Sequence, residues 1–396
     1  MTTGLPQEMI ISILSRLPVK SVLRFRCVCK TWCELFKTPN FIQMHLNRST
    51  ENNYFSFMLT THDKTYSLGL DEYDESSLTE LFDKAFEIDY PFKASRRGVR
   101  IEAFCDGLFC LEIRHYDSQS TLLCLWNPCS REYKKIPTPL IEYPSNLTPM
   151  QKETLRMGID FHHKYSYGFA YDHSIKDYKL VRIVHLSEHS EVNVYIVGLN
   201  AWHSIPSIPY SYIYAQPSGV LVNGALHWTA TKNTSDSNFL IAFQVESEKF
   251  DEVPLPQAEY VNHISLCVSG GCLSVLAHYP KSYTDIWVMK EYGAKESWTK
   301  LVSITQQTVL DSYFLAPIHF FQNGVILLDQ NYHKGLLSYD PKHENDITDF
   351  GYKPKIVPYV GSLVSLNSGA YVVQELSEEA IEQKKKHKRE NKRKHS

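Results

Sequence analysis

The 396-residue chain contains no apolar stretch near the roughly 20 residues that a membrane-spanning helix needs. Its first residues, Met1 to Gln7, lack the basic-then-apolar order of a secretory leader. A soluble, intracellular chain is therefore the expectation, with no membrane among its partners. Cysteine is sparse and odd in number: nine thiols, scattered from Cys27 to Cys272, read as reduced side chains rather than a disulfide framework. Without secretion the sequons at Asn146 and Asn233 carry no meaning. Gly-x-Ser-x-Gly elbows, phosphate-cradling Gly-Lys-Ser/Thr loops and dinucleotide fingerprints are also missing, so the usual nucleophile and cofactor motifs lend an enzyme no support. No cofactor is expected. His162, His163, His173 and His185 have no cysteine or carboxylate spacing that completes a zinc site, and Cys27, Cys29 and Cys33 lack a fourth ligand nearby.

Charge is small in sum and uneven in place. The formal net charge is -3, yet the segment from Lys384 to Lys394 alone holds +7, which leaves -10 for the rest. An acidic body does not suit a polyanion binder, because phosphate contact normally needs a basic surface on the fold itself, so nucleic acid is not expected as a partner. Within the basic tail, residues 376–396, the run from Lys384 to Lys394 has no apolar residue to fold against and reads as a solvated, disordered segment. Nuclear import, an inert solubilising end and a nonspecific contact with acidic surfaces are three readings of it. Cytoplasm, with the nucleus as a second destination, is the expected location.

What the chain has in quantity is aromatic residues, 13% with 25 Tyr and 19 Phe, which suit pleated, half-buried surfaces. The N-terminus is the exception. Ile10, Ile13, Leu14 and Leu17 recur at three-and-four spacing, then Val22, Phe25, Val28, Trp32, Leu35 and Phe36 supply further stripes, punctuated by Pro6, Pro18 and Pro39. That predicts three short helices within residues 1–47. Such a unit buries too little surface to be comfortable alone, so an exposed apolar face is expected on it.

The order Leu5-Pro6-Gln7-Glu8, Ile13-Leu14-Ser15-Arg16-Leu17-Pro18-Val19-Lys20-Ser21, Arg24-Phe25 and Cys27-Val28-Cys29-Lys30-Thr31-Trp32 closely resembles the F-box. The resemblance implies binding to a Skp-family adaptor and, through it, to a cullin and a RING subunit, with no catalysis by the F-box itself. The motif positions carried over are Leu5, Pro6, Ile10, Ile13, Leu14, Leu17, Pro18, Val19, Leu23, Val28, Cys29 and Trp32. Some of these must hold the helices together. Leu5, Pro6, Leu17, Pro18 and Val19 are assigned to the adaptor surface first, while Trp32 fits either role.

Beyond Leu46 the pattern switches to short apolar runs broken by Gly, Asn and Pro, the mark of strands joined by turns. The runs repeat. From Gly107 to Tyr133, from Gly224 to Phe250 and from Gly324 to Phe350 a glycine precedes an aromatic by 26 residues, and from Gly271 to Trp298 by 27. A looser unit lies around Tyr178 to Trp202, and another spans Tyr54 to Phe92. Repeats near fifty residues predict a kelch-like β-propeller of roughly six to seven blades over residues 48–375. Its glycines and aromatics are expected to serve blade packing. The twin glycine of kelch blades occurs once, at Gly270-Gly271, so the propeller is a divergent one.

Cys105-Asp106-Gly107-Leu108, Trp126-Asn127-Pro128, Asp177-Tyr178-Lys179-Leu180-Val181, Asn223-Gly224-Ala225-Leu226-His227-Trp228 and Asp285-Ile286-Trp287-Val288-Met289 through Trp298 resemble the plant F-box-associated interaction domain. Relatives of that kind include the pollen self-incompatibility and immune-regulator F-box groups, and the sequence does not choose between them. The implied function is that of a non-catalytic substrate-recognition subunit of a Skp-cullin-F-box ubiquitin ligase, with an unnamed target protein. A propeller interaction scaffold outside the ubiquitin pathway is the alternative.

Overall fold

The computed structural model describes residues 5–52, 54–60, 64–69, 84–88, 91, 97–115, 121–137, 165–186, 189–210, 218–232, 235–256, 263–279, 282–305, 315–330, 335–343, 347–349 and 355–366. The basic tail, both sequons, His162, His163 and Phe350 lie outside these residues.

Four helices open the chain, one more than the periodicity predicts: α1 (Gln7–Leu14), α2 (Val19–Phe25), α3 (Lys30–Leu35) and α4 (Pro39–Glu51). Pro6 and Pro18 immediately precede α1 and α2 in extended conformation, where a missing N–H costs nothing. Cys29 caps α3, its sulfur accepting from Trp32 N at 3.4 Å. The extra helix comes from Pro39. Expected as a stop, it is instead the first residue of α4, where its fixed φ is already helical, and the preceding Thr38 hydroxyl accepts from Phe41 N. Residue 47, where the helical module was expected to end, lies inside α4. Leu46 and Ser49 are both buried, and the first strand starts at Phe55.

The body is a six-bladed propeller. Blade 1 contains β1 (Phe55–Thr60), β2 (Thr65–Gly69) and β3 (Phe86–Ile88); blade 2 is β4 (Arg97–Cys105), β5 (Leu108–His115), β6 (Thr121–Trp126) and β7 (Tyr133–Ile136). Blade 3 is β8 (Tyr165–Asp172), β9 (Asp177–His185), β10 (Ser190–Ile196) and β11 (Ala201–Ile208); blade 4 is β12 (Val220–Val222), β13 (Ala225–Lys232), β14 (Ser235–Gln244) and β15 (Lys249–Val253). Blade 5 is β16 (His263–Ser269), β17 (Cys272–Tyr279), β18 (Tyr283–Met289) and β19 (Trp298–Ile304), and blade 6 is β20 (Leu315–Phe320), β21 (Ile326–Gln330), β22 (Gly335–Tyr339) and β23 (Ile347–Asp349). The last strand, β24 (Lys355–Val360), returns to blade 1 and pairs antiparallel with β1, so the ring is closed by its two ends. All neighbours within a blade are antiparallel, and the first strands of successive blades lie against one another around the axis.

Each sheet has two faces to bury, and six interblade clusters bury them. Leu108, Leu123, Phe169 and Leu180 fill the cleft between blades 2 and 3; Ile183, Trp228 and Phe243 fill the next; Leu240, Leu266 and Trp298 the one after. Polar staples cross the same clefts. Trp202 Nε1 donates to Pro137 O, at 2.5 Å, and Trp298 Nε1 to Pro254 O, at 2.8 Å. Both tryptophans thus lie on an outer strand and reach the residue that follows the preceding blade's outer strand. In these two blades the aromatic position of the sequence repeats is this wedge, whereas Tyr133, at the same repeat position in blade 2, is exposed. Tight turns between first and second strands use left-handed pairs, Asp106-Gly107, Asn223-Gly224 and Gly270-Gly271, which explains three of the repeat glycines.

Candidate functional site

Two features of the helical module concern function: an apolar stripe that it leaves open and a joint that fixes it to the propeller. Its own core is Leu14, Val22, Phe36 and Phe41, ringed by Ile10, Leu17, Leu23 and Trp32. Met9 and Ile13, four residues apart on one side of α1, are 52% and 51% exposed, Leu5, just ahead of the helix, is 57% exposed, and Val28, between α2 and α3, is 60% exposed. Pro6, Pro18 and Cys29 are also exposed. Side chains this apolar are left in water in a unit of four helices only where the unit has no more interior to offer.

The twelve motif residues therefore divide by position. Leu5, Pro6, Ile13, Pro18, Val28 and Cys29 are on the surface; Ile10, Leu17, Val19, Leu23 and Trp32 are half-buried; Leu14 is in the core, at 3% exposure. Ile13 and Leu14, neighbours in one sequence stripe, differ in burial: Ile13 is exposed and Leu14 is in the core. Met9 is absent from the sequence-predicted residues although it completes the stripe. Its signal was the four-residue spacing from Met9 to Ile13, masked by the equally regular inward pair Ile10 and Leu14.

Behind the stripe α4 clamps α1. His45 is buried, and its Nε2 donates to Leu17 O at 2.9 Å, while Arg48 Nη1 donates to Ser12 O at 2.8 Å and also to Ser15 Oγ. Burial lowers the pKa of His45, against a smaller opposing contribution from the Leu17 carbonyl, so the clamp is built for the neutral ring.

The joint is a strap formed by residues 361–366, which leave β24 and run between the module and blade 2. Leu363, 1% exposed, completes the helical core itself. Val364 and Leu366 instead join the cluster between blades 2 and 3, with Ile42 of α4 packed against both cores. Buried Asn127 holds the strap through Nδ2, which donates to Ser362 O at 3.1 Å and Val364 O at 2.6 Å, and Leu366 N donates to Glu132 Oε2 at 2.8 Å. At Gly107 the strap passes so close that a Cβ would lie 2.5 Å from Ser362 Cβ and 2.6 Å from Val360 O. Val19 lies against Gly361, where an added Cβ would meet its Cγ1 at 2.8 Å. The Trp126-Asn127-Pro128 and Asp106-Gly107 landmarks are thus parts of the joint. So is the Val19 side of α2.

The profile of the F-box associated beta propeller domain matches residues 55–366, and that of the F-box domain matches residues 3–44. The chain belongs to the F-box proteins that carry an F-box associated β-propeller. F-box protein CPR1 of Arabidopsis thaliana is 27% identical over 358 residues, covering 83% of this chain and 80% of that one. An F-box/kelch-repeat protein of the same plant is 29% identical over 351 residues, 85% of this chain and 88% of its own. A chain of the nidogen/laminin complex superposes with a TM-score of 0.46 at 8% identity, over 78% of this F-box protein and 99% of that chain. Family membership gives the stripe and the joint their context: the F-box match ends within α4, and the propeller match runs to the last residue of the strap.

Among the described residues no group of three or more His, Cys, Asp or Glu is placed to hold a metal ion. His173, after β8, and His185, at the far end of β9, lie at opposite ends of blade 3. Cys27 and Cys29 are exposed and Cys33 half-buried on the module. No described helix is long and apolar enough to cross a membrane.

Proposed function

We propose that this F-box protein is the substrate-recognition subunit of a Skp-cullin-F-box ubiquitin ligase, binding a Skp-family adaptor through the helical module and a target protein through the propeller. The observation that carries the reading is the open apolar stripe of Leu5, Met9, Ile13 and Val28 on a module that matches the F-box. A groove-binding helix presents anchors at such intervals. The adaptor surface under this reading consists of Leu5, Pro6, Met9, Ile13, Pro18, Val28 and Cys29. Leu14, and the inward sides of Ile10, Leu17, Leu23 and Trp32, keep the helices in register, while Val19 serves the joint. The chain supplies no bond-making group. Its contribution is effective concentration: a target held by the propeller stays near a conjugating enzyme carried by the RING subunit, which turns a bimolecular encounter into a local one.

The test is a pull-down with full-length Ile13→Asp and Met9→Asp. Each places a charge where the partner surface would desolvate it, at a cost of several kcal/mol, so adaptor capture should be lost while the melting temperature of the chain stays near that of the parent. Retention of adaptor at the parental level by both variants would overturn the assignment.

A further inference from the structure

Among the described residues one buried cation of the propeller, Arg182, forms no ion pair. Arg182, in β9, is 3% exposed, yet its Nε has no hydrogen-bond acceptor and it forms no ion pair with a described carboxylate. Its guanidinium lies over the ring of Tyr165, 4.3 Å from the centroid. Stacking of this kind occupies the face of the guanidinium and leaves its edge, with the N–H fork, for an acceptor in the same plane. The surroundings are charged but matched. Arg100 stands opposite Glu112 across β4 and β5; Lys355 Nζ donates to Ile101 O at 2.8 Å and feels Glu102 and Asp329; Tyr167, the strand partner of Arg182, feels Glu102, Glu112 and Arg182. Arg100 and Lys355 thus have acids or acceptors beside them, whereas the Nε of Arg182 is buried with no hydrogen-bond partner. A guanidinium removed from water is costly unless an acceptor meets it.

Its place in the fold is specific. β9 runs from Asp177, next to the turn on the side of the helical module, to His185 at the other end, and Tyr165 is the first residue of β8 at that same other end. Arg182 and Tyr165 therefore belong to the end of the propeller that faces away from the module and its strap. A protein seated there leaves the α1 stripe uncovered.

We propose that Arg182, oriented by Tyr165, is the anion-reading group of the target-binding site, at the propeller end opposite the F-box, and takes a carboxylate or phosphate from a segment of the target protein. This rests on the recruiting role proposed above. The recognised group makes two parallel N–H···O bonds with the guanidinium edge, as carboxylates and phosphates do, and replaces the water that Arg182 gives up on folding. Lysine cannot reproduce the fork.

The experiment uses the full chain co-purified with its adaptor on arrays of degenerate peptides whose central residue is fixed as Glu, phosphoserine or Gln. Retention of Glu or phosphoserine peptides over Gln by about tenfold or more is expected, in line with a charge-assisted bond, and the two arrays separate a carboxylate source from a phosphate source. Arg182→Gln should abolish that preference, and Arg182→Lys should retain only part of it. Tyr165→Leu, which removes the stack without burying an amide, should also weaken it. Equal retention of Gln peptides by the parent chain, or an undiminished preference in folded Arg182→Lys and Tyr165→Leu, overturns the proposal. Adaptor co-purification is read on the same samples. Its loss in the parent chain would strike the recruiting role, whereas a missing peptide preference with adaptor still bound strikes only the Arg182 site.

Discussion

At the scale of single residues, the propeller depends on side chains that combine bulk with one placed hydrogen bond. Trp298 fills the cleft between blades 4 and 5 and ties its indole to Pro254. Trp298→Ala should cost about 3–5 kcal/mol, the usual loss for emptying a buried aromatic site, and Trp298→Phe a smaller amount, about 1–3 kcal/mol for the lost bond and the smaller ring together, both read as shifts in denaturant midpoint. Histidines give the fold a pH dependence. Burial lowers His185 and His263 to about 4, below the ordinary 6.5, and neutral His185 is threaded between Ser166 and Ser190 hydroxyls at 3.1 and 3.0 Å. A folded pKa below the unfolded one means stability that is whole above pH 6.5 and is lost as pH falls toward 4. Thermal melts taken from pH 7 to pH 4.5 should therefore fall, and His185→Asn should flatten part of that slope. The motif residues were legible one by one, but not which way each points: Ile13 and Leu14 are adjacent and similarly apolar, yet one is exposed and the other buried, and only the packing of the other helices and Leu363 onto α1 decides between them.

Elements were more legible than their joints. The glycine end of each spacing marked a blade because it has a mechanical reason, a left-handed turn, and at Trp298 the aromatic end has one too, an interblade wedge. The fourth helix was missed because Pro39 ends a helix and begins one with the same φ. Its recovery changes where the chain can be cut. A truncation starting at residue 47 leaves the last turn of α4 with its partners removed, whereas one starting at Tyr54 removes the whole module and leaves β1 paired with β2 and β24. Either cut uncovers Leu363, so the shorter chain with Leu363→Ser should be the more soluble of the set by size-exclusion chromatography. Gly107→Ala tests the joint directly. A positive φ near 73 and a Cβ in contact with Ser362 both oppose it, so a loss of roughly 1–3 kcal/mol from the backbone is expected before the clash is counted.

For the whole molecule, the architecture was visible in the sequence as a repeat and the blade count was not, since the units around Tyr178 to Trp202 and from Tyr54 to Phe92 are irregular and one blade is assembled from the two ends of the propeller. β24 supplies the first strand of blade 1, so a chain ending before Lys355 should lose the closed ring and unfold in a broader, less cooperative transition by calorimetry. Nothing local in the run from Lys355 to Val360 announces a partner some three hundred residues earlier. The attachment of the helical module was equally hidden, because Leu363 belongs to a core otherwise built from residues before 45.

That attachment orders events during synthesis. The helical module emerges from the ribosome first, but its core lacks Leu363 until the strap has been made, and at about 5–20 residues per second the remaining three hundred residues take roughly 15 to 60 s. The module thus precedes the propeller in synthesis and is completed only after it. A prematurely terminated chain would carry neither a closed ring nor a completed module, so an arrested product is poorly equipped to occupy the partners of the intact protein. Position 363 acts as a receipt, delivered to the N-terminus only when the propeller has been copied to its end.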